Sequence, residues 1–257
     1  MLKTIQDFEI KERFVRKKFL NTYYGFCQYF EKNFELLLSA INFFNQKDWN
    51  YFRWEKRYCL ALFVKLSSTL KTSYQLILEG YYSESIMLTR AIYEALVRMV
   101  FIQLYPNRGE ELLGKKFKMG EKEKELGIKN SSFYSIMSSF SHGHEIPVFF
   151  DLIDVQEGKS EGITIGPQSP GEENRDFRVA INILMFYLWE TLVLIIKPLP
   201  ELQSDNNWKA KYETLIKELE HKYIRTYVNT RGKPSSIALR GVDEVLDITK
   251  KIPNWKT

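Results

Sequence analysis

The sequence predicts an all-α helical bundle with long antiparallel helices. The 257 residues include only 13 glycines and 8 prolines, whereas an average protein has roughly 12% of these turn-forming residues. Aromatic residues make up 15% of the chain, and a hydrophobic fraction of 44% excludes a disordered protein. Apolar residues also recur every three or four positions, which is typical of helices with a buried face. We expect residues 1–200 to form one helical domain and 201–257 to form a helical extension packed on it.

The first two helical regions are predicted to be long. Apolar spacing predicts a helix over 5–46, and Gly25 is the residue at which this helix is expected to bend or break. A second helix is predicted over about 49–79. It is expected to end at Gly80, because glycine readily adopts the left-handed conformation of a helix C-cap.

The rest of the chain divides into more varied elements. A third helix is predicted to begin at a Ser83 N-cap and to end near Pro106. Glycine and proline are concentrated in 146–171, which predicts an irregular loop with a short β-like run at 163–165 and a small hairpin. The other predicted helices occupy 108–126, 132–142, 173–197, 206–229 and 241–251.

One apolar segment belongs either to the core or to a membrane. Residues 179–196 are almost all apolar, and their number is near the minimum for a membrane-spanning helix. Glu190 lies well inside this segment, where an acidic side chain costs about 2.5 kcal/mol or more on membrane insertion. Asn182 adds a second polar group. We therefore expect a buried core helix and no membrane span.

Composition and charge exclude several classes of protein. The net charge of +5 and the isoelectric point near 8.9 permit contact with nucleic acid without demanding it. Cys27 and Cys59 have no CxxC spacing, which excludes a disulfide framework and a cysteine-ligated zinc site. The N-terminal residues contain no apolar stretch typical of a secretory signal. We therefore expect a cytoplasmic protein with reduced thiols.

The third helix carries the clearest polar signal. Arg90 and Glu94 lie on a stripe that is otherwise apolar or aromatic apart from Ser83, and the opposite face of the helix is also largely apolar. Both charges are expected to be at least partly buried and to pair at i and i+4, because an unpaired buried charge is strongly unfavourable. The pair is either a structural ion pair or the polar centre of a cleft.

A serine- and histidine-rich helix carries a second polar signal. Tyr134, Ser138 and His142 are spaced by four residues and share a helix face. His142 at the helix C-terminus has a structural explanation, since the helix dipole favours its charged form. It could also be a general acid or base, or activate Ser138, although no strand–turn–helix elbow surrounds this serine. A metal site formed by His142, His144 and Glu145 is a further alternative, but their spacing is not a recognised zinc spacing, so no metal or cofactor is expected.

These two helices resemble the signatures of a protein family. Residues 78–94 are similar to the G-x-x-x-x-[AS]-x-x-L-x-R-x-x-x-E helix of an uncharacterised family of bacterial all-α proteins, and residues 134–143 resemble its Y-x-x-x-S-x-x-x-H signature. That family is similar to HEPN-like helical proteins, some of which are metal-independent ribonucleases of toxin–antitoxin and phage-defence systems. Those enzymes use an Arg-x4–6-His motif, which this chain lacks before His142 and His144.

Two classes of function follow as hypotheses. The first is an RNA-directed site in which Arg90 stabilises phosphate charge, His142 is the general acid or base, and Glu94 orients one of them. Its expected catalytic residues are Arg90, Glu94, Ser138 and His142, with Tyr134 and His144 contacting the substrate. The second is a non-catalytic binding or interaction module, whose polar cluster is structural or holds a small anionic ligand. A homodimer and a protein partner are also expected.

Basic residues cluster in three parts of the sequence. Such clusters either follow a nucleic-acid backbone or form solvated surfaces. The three clusters are Lys11, Arg13, Arg16, Lys17 and Lys18; Lys115, Lys116, Lys118, Lys122 and Lys124; and Arg225, Arg231, Lys233 and Arg240.

Overall fold

The described residues form a bundle of helices with a short hairpin, which confirms the predicted all-α fold class. The computed structural model describes residues 4–46, 52–112, 117–128, 153–156, 159–163, 166–171, 174–219, 221 and 236–253.

The first helix, α1 (Ile5–Thr22), begins with a reciprocal cap. The Asp7 amide donates to the Thr4 hydroxyl oxygen at 3.2 Å, and the Thr4 amide donates to the Asp7 carboxylate at 2.9 Å. This arrangement satisfies backbone donors that a helix N-terminus otherwise leaves unpaired. Val15 and Phe19 are the buried side chains of α1.

The predicted break in the first helical region exists, but its predicted position is wrong. The break lies at Tyr23, whose φ of −115° and ψ of 33° separate α1 from α2 (Tyr24–Asn45). The Tyr23 ring packs against Phe177, with 4.8 Å between the ring centroids. Gly25 lies inside α2, and a Cβ there would meet no atom within 4 Å. An aromatic contact, and not the freedom of glycine, therefore accompanies the bend.

A tight corner joins α3 (Trp54–Glu79) to α4 (Tyr82–Leu104). Gly80 ends α3 with a φ of +88°, which confirms the predicted left-handed C-cap. The Gln168 amide donates to the Gly80 carbonyl at 3.0 Å, and a Cβ at Gly80 would overlap the Gln168 backbone. Glycine is therefore required both by the backbone conformation and by this close approach.

The predicted N-cap of the third helix is wrong by two residues. Tyr81 is the N-cap of α4 and makes no side-chain capping bond. Ser83 lies in the first turn, is buried, and donates a hydrogen bond of 3.3 Å to the Asp176 carboxylate. The Ser83 hydroxyl therefore joins α4 to a later helix of the bundle by a hydrogen bond.

The predicted helix over 108–126 is divided in two. A 3₁₀ helix spans Pro106–Leu112, and α5 spans Met119–Leu126 and ends at Gly127, with a φ of +76°. The hairpin expected within 146–171 is present. Its antiparallel strands are β1 (Ile153–Gln156) and β2 (Lys159–Ile163), so that β2 shares only its last residue with the predicted β-like run.

The helix α6 (Arg175–Ile195) lies at the centre of the bundle, against α3 and α4. The Asn174 side chain caps it by accepting a 3.0 Å hydrogen bond from the Phe177 amide. Tyr187 and Trp189 are among the largest fully buried side chains of the core.

The same helix includes the one segment of the described chain that is long and apolar enough to cross a membrane by length and composition. This segment is Asp176–Ile195, and 72% of its apolar window is buried inside the structure. The Asn182 side chain is satisfied locally, by donating to the Arg178 carbonyl at 2.6 Å. Since core helices pass the same test, the segment is weak evidence for a membrane span.

Two helices near the C-terminus pack on the bundle. A 3₁₀ helix (Pro200–Ser204) leads into α7 (Asn206–Leu219), which contacts α2 and α6. The helix α8 (Ser236–Lys251) contacts α4 and α6 and begins before its predicted start near residue 241.

Both cysteines lie in the core as free thiols. Cys27 is in α2 and Cys59 is in α3, and each is buried. Burial raises the pKa of both thiols above the ordinary value for cysteine.

Candidate functional site

Arg90 and Glu94 form the predicted ion pair on α4. The Arg90 Nε donates to Glu94 Oε1 at 3.1 Å. The two side chains are 26% and 35% exposed, so the pair lies at the margin of the core. The predictions of pairing and of partial burial are therefore confirmed, and a solute can reach both charged groups.

The predicted serine- and histidine-rich helix lies outside the described residues. Four site residues predicted from it therefore keep their status as predictions: Tyr134, Ser138, His142 and His144. Glu145, the third member of the alternative metal site, lies outside as well. His221 is the one histidine in the described part of the chain, and it is exposed.

A groove lies between α4, α6 and α8. On α4, Tyr93 and Val97 line this groove. These two residues follow Arg90 by three and seven positions and therefore continue the same stripe of the helix. The groove is open to solvent and has a volume of about 600 Å³ including its open part, which is enough for a small organic molecule.

The walls of the groove are mainly apolar and aromatic. Phe186 and Tyr187 of α6 line the groove with Tyr93 of α4, and the two tyrosine ring centroids are 6.2 Å apart. Val245 and Ile248 of α8 contribute aliphatic surface. A concave apolar site with a small number of polar groups is the usual form of a small-molecule binding site.

Two carboxylates, Glu190 of α6 and Glu244 of α8, interrupt this apolar surface. Burial among apolar side chains raises the pKa of Glu190 to about 8, and the negative charge of Glu244 adds to this shift. At neutral pH Glu190 is therefore mostly protonated, whereas an ordinary glutamate is ionised. A carboxyl group with a pKa near neutrality can exchange a proton with a ligand or with solvent under physiological conditions.

A third acidic residue lies next to the groove through Tyr93. The Tyr93 hydroxyl donates to Glu123 Oε1 at 2.6 Å, which fixes the ring at the groove wall. Burial, followed by this hydrogen bond to a carboxylate, raises the pKa of Tyr93 above the ordinary value for a phenol. The hydroxyl therefore remains protonated and acts as a hydrogen-bond donor.

The structure corrects the interpretation of one basic cluster. Lys122 is buried and pairs with Glu111 and Glu125, and Arg108 binds the same two carboxylates. The Lys122 ammonium also lies 4.6 Å from the centroid of the Phe101 ring. Lys122 therefore stabilises the connection between α4 and α5 and does not offer its charge to a nucleic-acid backbone.

The other predicted basic residues differ in how exposed their side chains are. Arg13, Arg16, Lys17 and Lys18 are exposed on α1, whereas Lys11 is partly buried. Lys118 and Lys124 are exposed near α5, and Lys118 pairs with Glu121. The remaining predicted basic residues have side chains outside the described part of the protein: Lys115, Lys116, Arg225, Arg231, Lys233 and Arg240.

Sequence reasoning did not find the groove. It identified Glu190 only as an interruption of an apolar helix, and it gave no role to Tyr93 or Glu244. An acid inside a long apolar run is nevertheless a signal for a perturbed carboxyl group, because a core helix rarely contains one without a specific reason. Glu244 has no comparable signal, because it lies in an ordinary amphipathic helix.

No family model, curated protein or solved structure matches this chain. The resemblance to HEPN-like proteins therefore stays a prediction. Within the residues that the structure describes, no group of three or more histidine, cysteine, aspartate or glutamate side chains is placed to hold a metal ion.

Proposed function

We propose that this protein is a binding module that takes up a small ligand in the groove between α4, α6 and α8. The observation that carries the proposal is a concave groove whose wall is apolar and aromatic apart from Glu190, a carboxyl group of raised pKa, and Glu244. Perturbed carboxyl pKa values are concentrated at functional sites, so one in the wall of a groove supports a role in recognition.

The experiment is a screen of small soluble fragments by ligand-observed NMR against two tryptophan variants. Val245→Trp places a large side chain in the groove and is expected to abolish binding of the fragments that bind the native protein. Leu38→Trp is the control, because Leu38 is an exposed apolar residue on α2. Circular dichroism establishes that both variants fold. Fragments that bind equally well to Val245→Trp and to the native protein would refute the groove as the binding site.

A second candidate function is the RNA-directed one, as a metal-independent ribonuclease or RNA-binding protein of a defence or toxin system. The observation that favours it is a partly exposed arginine, Arg90, whose guanidinium is held in place by its ion pair with Glu94. Such a group can bind a phosphate and stabilise charge that develops on it. In this proposal Ser138 and His142 complete the catalytic group, and exposed basic side chains of α1 contribute non-specific attraction to RNA.

The RNA-directed proposal is tested with purified protein and labelled RNA. His142→Ala is expected to lose RNA degradation, whereas His221→Ala, a change at an exposed histidine, is expected to keep it. Expression in a bacterial host gives a second readout, since toxicity of the native protein should be relieved by His142→Ala. Equal RNA degradation by native protein and by folded His142→Ala would eliminate this site.

The expected homodimer, protein partner and cytoplasmic location are further proposals. Light scattering on the purified protein measures the oligomeric state, and a monomer at micromolar concentration would contradict the homodimer.

A further inference from the structure

The most exposed apolar side chains of the described chain are concentrated near its beginning. Ile5, Ile10 and Phe14 of α1 and Tyr24, the first residue of α2, are the four most exposed large apolar or aromatic side chains among the described residues. Ile10 is 59% exposed and Phe14 is 64% exposed. Single exposed apolar residues are normal on a protein surface, whereas a group of them marks a surface that contacts another molecule.

The position of α1 in the bundle leaves one side of this helix in solvent. It packs on α2 and α3, and Val15 and Phe19 are its buried side chains. Successive residues of an α-helix are rotated by about 100°, so Ile10 and Phe14 are neighbours on the side of α1 that points away from Val15 and Phe19. The two exposed side chains therefore form one patch.

Basic side chains surround this patch. Lys17 and Lys18 lie within one turn of Phe14 and on either side of it, and Arg13 lies beside it. All three basic residues are exposed. The Arg13 Nε donates to the Glu9 carbonyl at 3.2 Å, and this bond to a backbone oxygen leaves the positive charge of the guanidinium uncompensated.

The acidic residues of α1 are placed away from the patch or bonded within the fold. Asp7 takes part in the cap at the N-terminus of the helix. The Glu12 carboxylate accepts a 2.6 Å hydrogen bond from the Tyr81 hydroxyl, which belongs to the corner between α3 and α4. Glu9 is exposed, but it precedes the basic residues and lies nearer the N-terminus. The C-terminal half of α1 therefore presents a positive surface with apolar side chains at its centre.

This combination distinguishes between possible partners. A second copy of the same surface would bring like charges together, which is unfavourable. RNA phosphates would contact the basic side chains and leave Ile10 and Phe14 in water. A bilayer with anionic headgroups suits both kinds of side chain, because apolar groups enter the boundary with the acyl chains while lysine and arginine are attracted to the headgroups.

We propose that this side of α1 docks on the surface of an anionic lipid bilayer. The docking surface, named the α1 basic face, consists of Ile10, Arg13, Phe14, Lys17 and Lys18. The helix lies parallel to the plane of the bilayer, and the binding is peripheral and reversible, because two apolar side chains bury much less hydrocarbon than a spanning helix. The proposal is independent of the groove between α4, α6 and α8 and of the apolar helix α6, since neither contributes a residue to this face.

The test is flotation of the purified protein with lipid vesicles in a density gradient. The vesicles are either phosphatidylcholine alone or two parts phosphatidylcholine to one part phosphatidylglycerol. The protein is expected to float with the anionic vesicles and not with the neutral ones. Salt at about 1 M should release it, because the Debye length is then only about 3 Å. Equal flotation with both kinds of vesicle, or flotation with neither, would overturn the proposal.

The contribution of the charges is measured with a matched pair of double variants. Lys17→Gln with Lys18→Gln is expected to weaken binding about tenfold or more, since one basic residue near an anionic surface accounts for about a fivefold change. Lys209→Gln with Lys211→Gln removes the same charge from exposed positions of α7 and should bind as the native protein does. Equal weakening by both double variants would show that only net charge matters, and the α1 basic face would be wrong.

The contribution of the apolar side chains separates a bilayer from RNA. Phe14→Gln is expected to bind anionic vesicles about tenfold more weakly, because the ring no longer enters the bilayer. Leu38→Gln, at an exposed apolar residue of α2, is the control and should bind normally. Circular dichroism establishes that both variants fold. Unchanged vesicle binding by Phe14→Gln would refute the proposal, and binding of poly(U) RNA without flotation would assign these basic residues to nucleic acid instead.

Discussion

At the scale of single residues, the protonation of Glu190 is set by its neighbours. The apolar surroundings on α6 and the charge of Glu244 shift the pKa of its carboxyl group from 4.5 to about 8. The same carboxyl group would ionise normally in the unfolded chain. The folded state therefore binds one proton more than the unfolded state between these two pH values, which makes stability depend on pH.

The first prediction concerns this dependence. Because the pKa of Glu190 is raised on folding, its contribution favours the folded state at low pH and is lost as pH rises from about 4.5 to about 8. The loss is at most about 1.4 kcal/mol per pH unit. Glu190→Gln should remove this slope and should be more stable than the native protein at pH 9. Urea denaturation of both proteins at several pH values measures the unfolding free energy and its pH dependence.

The control for this prediction is Asp247→Asn, which changes an exposed carboxylate on α8. Its stability should follow the pH dependence of the native protein. If native protein and Glu190→Gln have parallel profiles between pH 5 and pH 9, Glu190 ionises normally and the prediction is wrong.

The partial exposure of Arg90 and Glu94 determines how much their ion pair contributes to the unfolding free energy. A surface ion pair contributes about 0–1 kcal/mol, whereas removing one partner of a buried pair costs about 3–5 kcal/mol. With side chains 26% and 35% exposed, the pair belongs nearer the surface case.

We therefore predict a loss of about 1 kcal/mol of unfolding free energy for Arg90→Met. The double change Arg90→Met with Glu94→Leu should be no less stable than the single change, since it leaves no unpaired charge. A urea-denaturation cycle with Glu94→Leu measures the coupling. If the double variant folds as stably as the native protein but loses ligand binding or RNA degradation, the pair is functional; a loss of stability alone would make it architectural.

At the scale of elements, the corner between α3 and α4 depends on one glycine. Gly80 has a φ of +88°, and its carbonyl accepts a hydrogen bond from the Gln168 amide. The Tyr82 hydroxyl also donates to the Gln168 carbonyl, at 3.3 Å. The segment that precedes α6 is thus attached to this corner by backbone and side-chain bonds.

Gly80→Ala is predicted to lower the unfolding free energy by about 2 kcal/mol or more, because an alanine there is strained and overlaps a backbone. Gly25→Ala is the matched change. Gly25 lies within α2 with open space around it, so alanine there should stabilise the protein by about 0.5–1 kcal/mol. Thermal unfolding compares the two variants, and equal melting temperatures would contradict the argument.

The elements also show which local signals can be interpreted from sequence. Gly80 was predictable, because a glycine after a long apolar-periodic segment is a strong helix-end signal. The break at Tyr23 was misplaced, because an aromatic contact with Phe177 is a tertiary feature and no local residue encodes it. Ser83 was misassigned for the same reason, since a serine at a helix start is equally suited to a cap or to a bond with another helix.

At the scale of the whole molecule, the groove could not be predicted, because its walls come from α4, α6 and α8, which are far apart in sequence. The periodicity of each helix shows that it has a buried face, but it does not show which helices meet. The Arg90–Glu94 pair, by contrast, was predictable because its two residues are neighbours on one helix.

The packing of α6 leads to a prediction for the whole protein. Since 72% of the apolar window of this helix is buried against other helices, the protein is expected in the supernatant after cell lysis without detergent. Ultracentrifugation followed by immunoblotting measures its distribution. Recovery only in the membrane pellet, with release by detergent and not by high salt, would instead assign Asp176–Ile195 to the bilayer.

The two sequestered thiols have a practical consequence for experiments. Cys27 and Cys59 are buried, and burial raises the pKa of both. Since the thiolate is the species that alkylating reagents attack, each sulfur should react only when the helices around it open. The rate of alkylation in native buffer would therefore report the opening of the bundle at α2 and α3. A cysteine introduced on the surface could carry a fluorophore while both native thiols stay unmodified.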